Sequence, residues 1–171
     1  MYETEHYIRL IEELGGEALA RYDAEESGRQ FGGGREHEQA GGQFTFSAMC
    51  RSDQAAVLRA IDENLPTRTK RPNGNTGTSY ALKHVIERYV GFYVSNLQAK
   101  VAMRVLGYER GGDGLNPCYN VTKREWREFC ERSREAADRR SAAYRRMSRR
   151  REEQAAARWF NSLQGNGRGR A

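Results

Sequence analysis

From Thr122 onward neither glycine nor proline interrupts the chain until Gly165. A run without a breaker leaves room for one helix of some 40 residues, roughly 60 Å at 1.5 Å per residue. Thr122-Lys-Arg-Glu125 has the spacing of a capping box and marks its start. Trp126, Phe129 and Cys130 supply its buried side; beyond them the apolar stripe thins to Ala137, Tyr144 and Met147, with Trp159, Phe160 and Leu163 near the end. A helix this poor in apolar positions is expected either to project from the core or to break around Ser148.

The core must then be built upstream, because only 37% of the 171 residues are apolar. Residues 78 to 130 are the densest stretch, with 25 apolar side chains in 53. Leu82, Val85, Ile86 and Tyr89 follow the i, i+3, i+4, i+7 spacing of a helix capped by Ser79 and stopped by Gly91. Ser95-Asn-Leu-Gln98 is a second capping box, opening a helix with Leu97, Val101, Ala102 and Val105 inside and Gly107 as its C-terminal stop. Two short helices joined by the turn 91–95 form a helix-turn-helix pair. Ser52 to Asn64 reads as a helix before it, ended by Pro66, and residues 108–121 as a hairpin with the tip Gly111-Gly-Asp-Gly114 and Pro117 on an edge strand. That order predicts a mainly α fold: a winged helix-turn-helix-like core with a small β-hairpin and a long C-terminal Arg-rich helix.

The flanks carry opposite charge. Residues 1–43 hold 10 acidic and 4 basic side chains, residues 44–121 hold 6 and 10, and residues 122–171 hold 7 and 15, so the net +6 is a sum of unlike parts. Tyr7, Ile8, Ile11, Leu14, Leu19 and Tyr22 give the N-terminal part a helical stripe broken at Gly15-Gly16. GRQFGGGREHEQAGG has six glycines and almost no apolar side chain, the composition of a linker. The expected organisation is an acidic helical arm (1–27), a glycine-rich linker (28–43), the core (44–130), a basic helix (131–164) and a disordered tail (165–171).

Polyanions are the partners such a charge layout suits, DNA or RNA foremost. If the second helix of the pair lies in a groove, its outward residues Asn96, Gln98, Lys100, Met103 and Arg104 meet the bases, Asn and Gln matching adenine and Lys and Arg guanine or phosphate. Arg68, Lys70 and Arg71 in the preceding loop and Arg110 in the hairpin are expected on the backbone. The Arg-rich helix adds Arg139, Arg140, Arg145, Arg146, Arg149 and Arg150; between 132 and 158 ten arginines face only four acids, leaving most unpaired. The competing reading of every one of these residues is a solvated, salt-bridged helix face.

Chemistry is poorly signposted. His6, His37 and His84 have no Cys or His at metal-ligand spacing, Cys118 and Cys130 stand twelve apart, and the glycine runs lack the Lys-Ser/Thr of a phosphate loop. No enzyme activity, metal or cofactor is expected. Three widely spaced cysteines, an acidic N-terminus without a leader pattern and no apolar run near 20 residues predict free thiols, a cytoplasmic location and no membrane partner.

Thr78-Ser-Tyr-Ala-Leu-Lys-His84, Tyr93-Val-Ser-Asn96, Ala102-Met103, Gly107-Tyr108 and Asn116 to Val121 resemble a group of small proteins encoded by phages and integrative elements of Gram-positive gut bacteria. The resemblance spans about 45 residues and leaves out both flanks. It implies an accessory or regulatory protein of a mobile element, or alternatively a type II anti-CRISPR protein that binds an RNA-guided nuclease complex, DNA or both; it assigns no site residue.

Overall fold

The computed structural model describes residues 4–31, 44–112 and 114–165, and side chains within these except at 29–31 and 160–165. Of the linker expected over 28–43, residues 28–31 instead belong to a helix that continues from Gly16, and residues 32–43 lie outside the described residues, as does the tail from 166. Six helices are described, α1 (Thr4–Leu14), α2 (Gly16–Phe31), α3 (Arg51–Asn64), α4 (Ser79–Val90), α5 (Asn96–Val105) and α6 (Lys123–Gly165), with a two-stranded antiparallel hairpin, β1 (Arg110–Gly111) and β2 (Cys118–Tyr119), between α5 and α6. The fold is mainly helical.

α5 is the axis of the core. Its capping box forms as spaced: Ser95 Oγ accepts from Gln98 N at 3.0 Å, and Gln98 Oε1 accepts from Ser95 N at 2.7 Å. Seven consecutive residues, Leu97 to Met103, are then buried, so the helix has no solvent-facing side over that stretch. α4 packs on one flank through Leu82, Val85 and Ile86, and α3 on another through Val57, Leu58 and Ile61. Gly91 ends α4 at φ 90°, the left-handed cap that only glycine adopts without strain.

The acidic N-terminal helices are part of this core. α1 and α2 separate at Gly15, φ 77°. Tyr7 and Ile11 are buried by α1 on α3, where Tyr7 donates to Asp62 Oδ2 at 3.1 Å. α2 crosses α5 and brings Leu19, Asp23 and Glu26, spaced along one face, under cover. Asp23 accepts from the backbone N of Phe46 and Ser47 at 2.8 and 2.9 Å, which ties the chain after residue 43 to α2. α3 starts one residue earlier than Ser52 suggests, with Cys50 at its N-cap.

The hairpin is shorter than its sequence suggests, two residues a strand, because the loop after Pro66 takes over the outer pairing. Thr69 N donates to Asn120 O at 2.8 Å and Asn73 N to Tyr119 O at 3.0 Å, and Arg68 bridges Val121. Pro117 sits ahead of β2, its carbonyl accepting from Ser79 N at 2.8 Å.

α6 runs 43 residues without a break at Ser148, about 64 Å. Its first turns bury Phe129 and Ser133, and the Tyr89 and Phe129 rings meet edge-on at 5.6 Å. Arg140 then donates from both Nη atoms to Tyr89 O and Arg88 O, satisfying the last carbonyls of α4. α4 ends there and α6 does not: from 138 to 159 every side chain is exposed but the half-buried Ser148.

Candidate nucleic-acid interface

The basic residues expected on α5 are not outward. Gln98 is 5% exposed and Lys100 1%: the first is spent on the capping box and on Thr45 O at 3.1 Å, the second donates to Glu26 O at 3.4 Å. Met103 is fully buried. Arg104 lies over the Tyr22 ring at 4.1 Å and pairs with Glu25 Oε2 at 2.6 Å. Arg110 pairs with Glu26 Oε2 at 3.1 Å while its Nε and Nη2 donate to Gly112 O and Gly114 O. Asn96 donates to Asn116 Oδ1 at 3.0 Å. A helix-turn-helix reading of this face is corrected by one element: α2 lays Tyr22, Glu25 and Glu26 over the surface that would enter a groove. Opposite charge holds it there, through the pairs of Arg104 and Arg110 with Glu25 and Glu26.

The loop residues divide. Arg68 is held, its guanidinium 4.5 Å over the Tyr108 ring and bonded to Leu106 O. Lys70 and Arg71 are exposed and, among the described residues, have no ion pair. Burial raises the Tyr108 phenol well above its usual range, so it remains the neutral donor to Leu65 O.

On α6 the arginines also separate. Arg140 is the α4 cap, and Arg139 faces Glu135 Oε2 at 3.7 Å, an exposed pair. Arg145, Arg146, Arg149 and Arg150 are exposed and unpaired among the described residues. At 100° per residue Arg139, Arg146 and Arg150 align with Arg145 and Arg149 beside them, a band about 140° wide opposite Phe129 and Ser133. The band spans roughly 17 Å of helix axis. Tyr144 and Met147, 75% and 56% exposed, continue the core-facing stripe past its last partner. Arg151 and Arg158 lie towards that stripe and add two more exposed cations.

Among the described residues no group of three His, Cys, Asp or Glu is placed to hold a metal ion, and no helix is long and apolar enough to cross a membrane. Cys50, Cys118 and Cys130 are free thiols, the last raised above its usual range by burial. No protein-family model, curated protein or solved structure matches the chain.

Proposed function

We propose that the chain is a non-enzymatic nucleic-acid-binding protein that grips a phosphate backbone, duplex DNA foremost, with the distal half of α6. The observation that carries this reading is the cluster Arg145, Arg146, Arg149 and Arg150, exposed and unpaired among the described residues, on a helix that has left its own core. Like charges this close repel one another, and a polyanion is the partner that offsets the repulsion. α4, α5 and the hairpin make a winged helix-turn-helix-like scaffold in this reading, but with α2 across α5 the scaffold carries α6 rather than reading bases. Binding is therefore indifferent to sequence.

Mobility shifts with two unrelated duplexes and a single-stranded RNA of equal length test it. Equal affinities for the duplexes, lost when Arg145, Arg146, Arg149 and Arg150 become Gln, support it; no shift with any probe at low salt overturns it. A second reading is favoured by the exposed Tyr144, Met147 and Trp159 beside the arginines: α6 as a protein-docking helix of a mobile-element inhibitor of an RNA-guided nuclease. Stable capture of a purified effector together with loss of its cleavage would place the function there.

A further inference from the structure

Between the end of α4 and α6 runs an open groove of about 400 Å³, with Glu87, Arg88, Tyr93 and Arg140 in its lining. Both arginines bond only to uncharged groups. Arg88 Nε donates to His84 O at 3.2 Å, and Arg140 caps α4 through Tyr89 O and Arg88 O, so one of the five N–H groups of Arg88 and two of the five of Arg140 are used. Neither arginine forms an ion pair among the described residues. Glu87, the one carboxylate in the lining, is already held by Lys83 at 3.4 Å, His84 at 2.8 Å and Val94 N at 3.2 Å. The C-terminal end of α4 carries about half an elementary negative charge, too little to cancel two guanidiniums. Exposed rings flank these cations. Tyr93 and Tyr80, 62% and 53% exposed, both stand within reach of the Lys83 ammonium, at 4.9 and 5.8 Å. Phe44 braces Tyr93 edge-on at 6.0 Å, and His84 braces Tyr80 at 4.8 Å. Tyr144, 75% exposed, follows Arg140 by one turn of α6.

We propose that this row is a platform for an unpaired nucleic-acid strand, with bases stacked on Tyr80, Tyr93 and Tyr144 and phosphates on Arg88 and Arg140. Alternation decides between this occupant and a protein. A protein-docking patch is contiguous apolar surface. Here Lys83 separates Tyr80 from Tyr93 and Arg140 separates Tyr93 from Tyr144, the repeat of ring and cation that suits a strand of bases and phosphates. A duplex cannot use the rings, because its bases are already stacked on one another. Every base has a π-face, so the platform selects unpaired strands rather than a sequence. It shares no residue with the cluster Arg145, Arg146, Arg149 and Arg150, and it stands whether or not that cluster grips a duplex.

The test uses the full chain with a labelled oligothymidylate of about 12 nucleotides, inside the roughly 4–16 that such grooves hold, and a duplex of equal length, both followed by fluorescence anisotropy. Tyr93→Ala and Tyr144→Ala change exposed side chains, and circular dichroism checks that both variants are folded. Each is expected to weaken the single strand about fivefold or more and to leave the duplex unchanged. Tyr93→Phe keeps the ring and binds the strand as the native chain does. With Arg145, Arg146, Arg149 and Arg150 changed to Gln, the strand still binds at low salt and Tyr93→Ala still weakens it, even where the duplex no longer binds, so failure of the α6 reading and failure of this one are told apart. No binding of the strand to the native chain or to the fourfold variant, or binding that Tyr93→Ala and Tyr144→Ala leave unchanged, overturns the proposal. So does a loss of capture of a purified nuclease effector by these variants with strand binding intact, which would make the row a protein surface.

Discussion

Replacing Glu26 by Gln removes the buried carboxylate that pairs with Arg110 and lies within 4 Å of Arg104, with almost no change of volume. Glu26 is 3% exposed, 3.1 Å from Arg110 and 3.9 Å from Arg104. Removing one partner of a buried ion pair costs about 3–5 kcal/mol, because the other charge stays buried without compensation. Arg110 keeps 19% of its side-chain exposure, so solvent relieves part of this and the lower end, about 3 kcal/mol, applies. Against a total stability of about 5–15 kcal/mol, that lowers a urea midpoint by about 1.5 M at a slope of about 2 kcal/mol/M. Glu25→Gln is the control: Glu25 pairs with Arg104 at 2.6 Å but is 40% exposed. A pair that exposed is worth under about 1 kcal/mol. Urea unfolding followed by far-UV circular dichroism, in phosphate-free buffer, compares the two. A Glu26→Gln midpoint no lower than that of Glu25→Gln would refute the claim that buried charge holds α2 on α5.

Two further outcomes follow from packing and burial. An alanine methyl at Gly77 would stand 2.0 Å from Trp126 Cζ2 and 2.4 Å from Cη2, so Gly77→Ala must displace the indole. A loss of about 1–3 kcal/mol is expected. In a Trp126→Ala background the same change should cost almost nothing, and an equal cost there would rule the overlap out. Tyr7, Tyr108 and Tyr119 all ionise above the usual range in the folded chain, mainly through burial. The unfolded chain loses these protons first, so stability is level below about pH 10 and falls above it, by up to about 1.4 kcal/mol per pH unit for each tyrosine. Urea midpoints from pH 8 to 11.5 check this, and a midpoint unchanged at pH 11 would contradict it.

Local structure was legible where short-range chemistry decides it. The Ser95–Gln98 box, the stops at Gly91 and Gly107 and the uninterrupted run after Thr122 each depend on residues within one turn of one another, and α4 and α5 begin and end within a residue or two of their signals. What covers α5 was not legible. Gln98, Lys100 and Arg104 read as a polar outer face because periodicity counts apolar side chains, whereas here burial is achieved by hydrogen bonds and ion pairs to α2, 74 residues away in the case of Lys100 and Glu26. The glycine-rich stretch between them conceals that pairing. Charge asymmetry was the available signal: an acidic helix and a basic helix in one chain are mutual partners before either finds an external one. On α6 the same arithmetic holds differently, since its unpaired arginines stand beyond the end of α4 and beyond the reach of α2.

The salt dependence of duplex DNA binding by the full chain tests the α6 reading most directly. Five phosphate contacts, one for each arginine of the band, give a slope of log K against log salt of about −4.5, a loss of roughly 500-fold between 50 and 200 mM. With Arg145, Arg146, Arg149 and Arg150, all exposed, changed to Gln, folding is unaffected and the slope falls to about −1. A slope that the fourfold variant leaves unchanged, or no binding at 50 mM salt, would contradict the account.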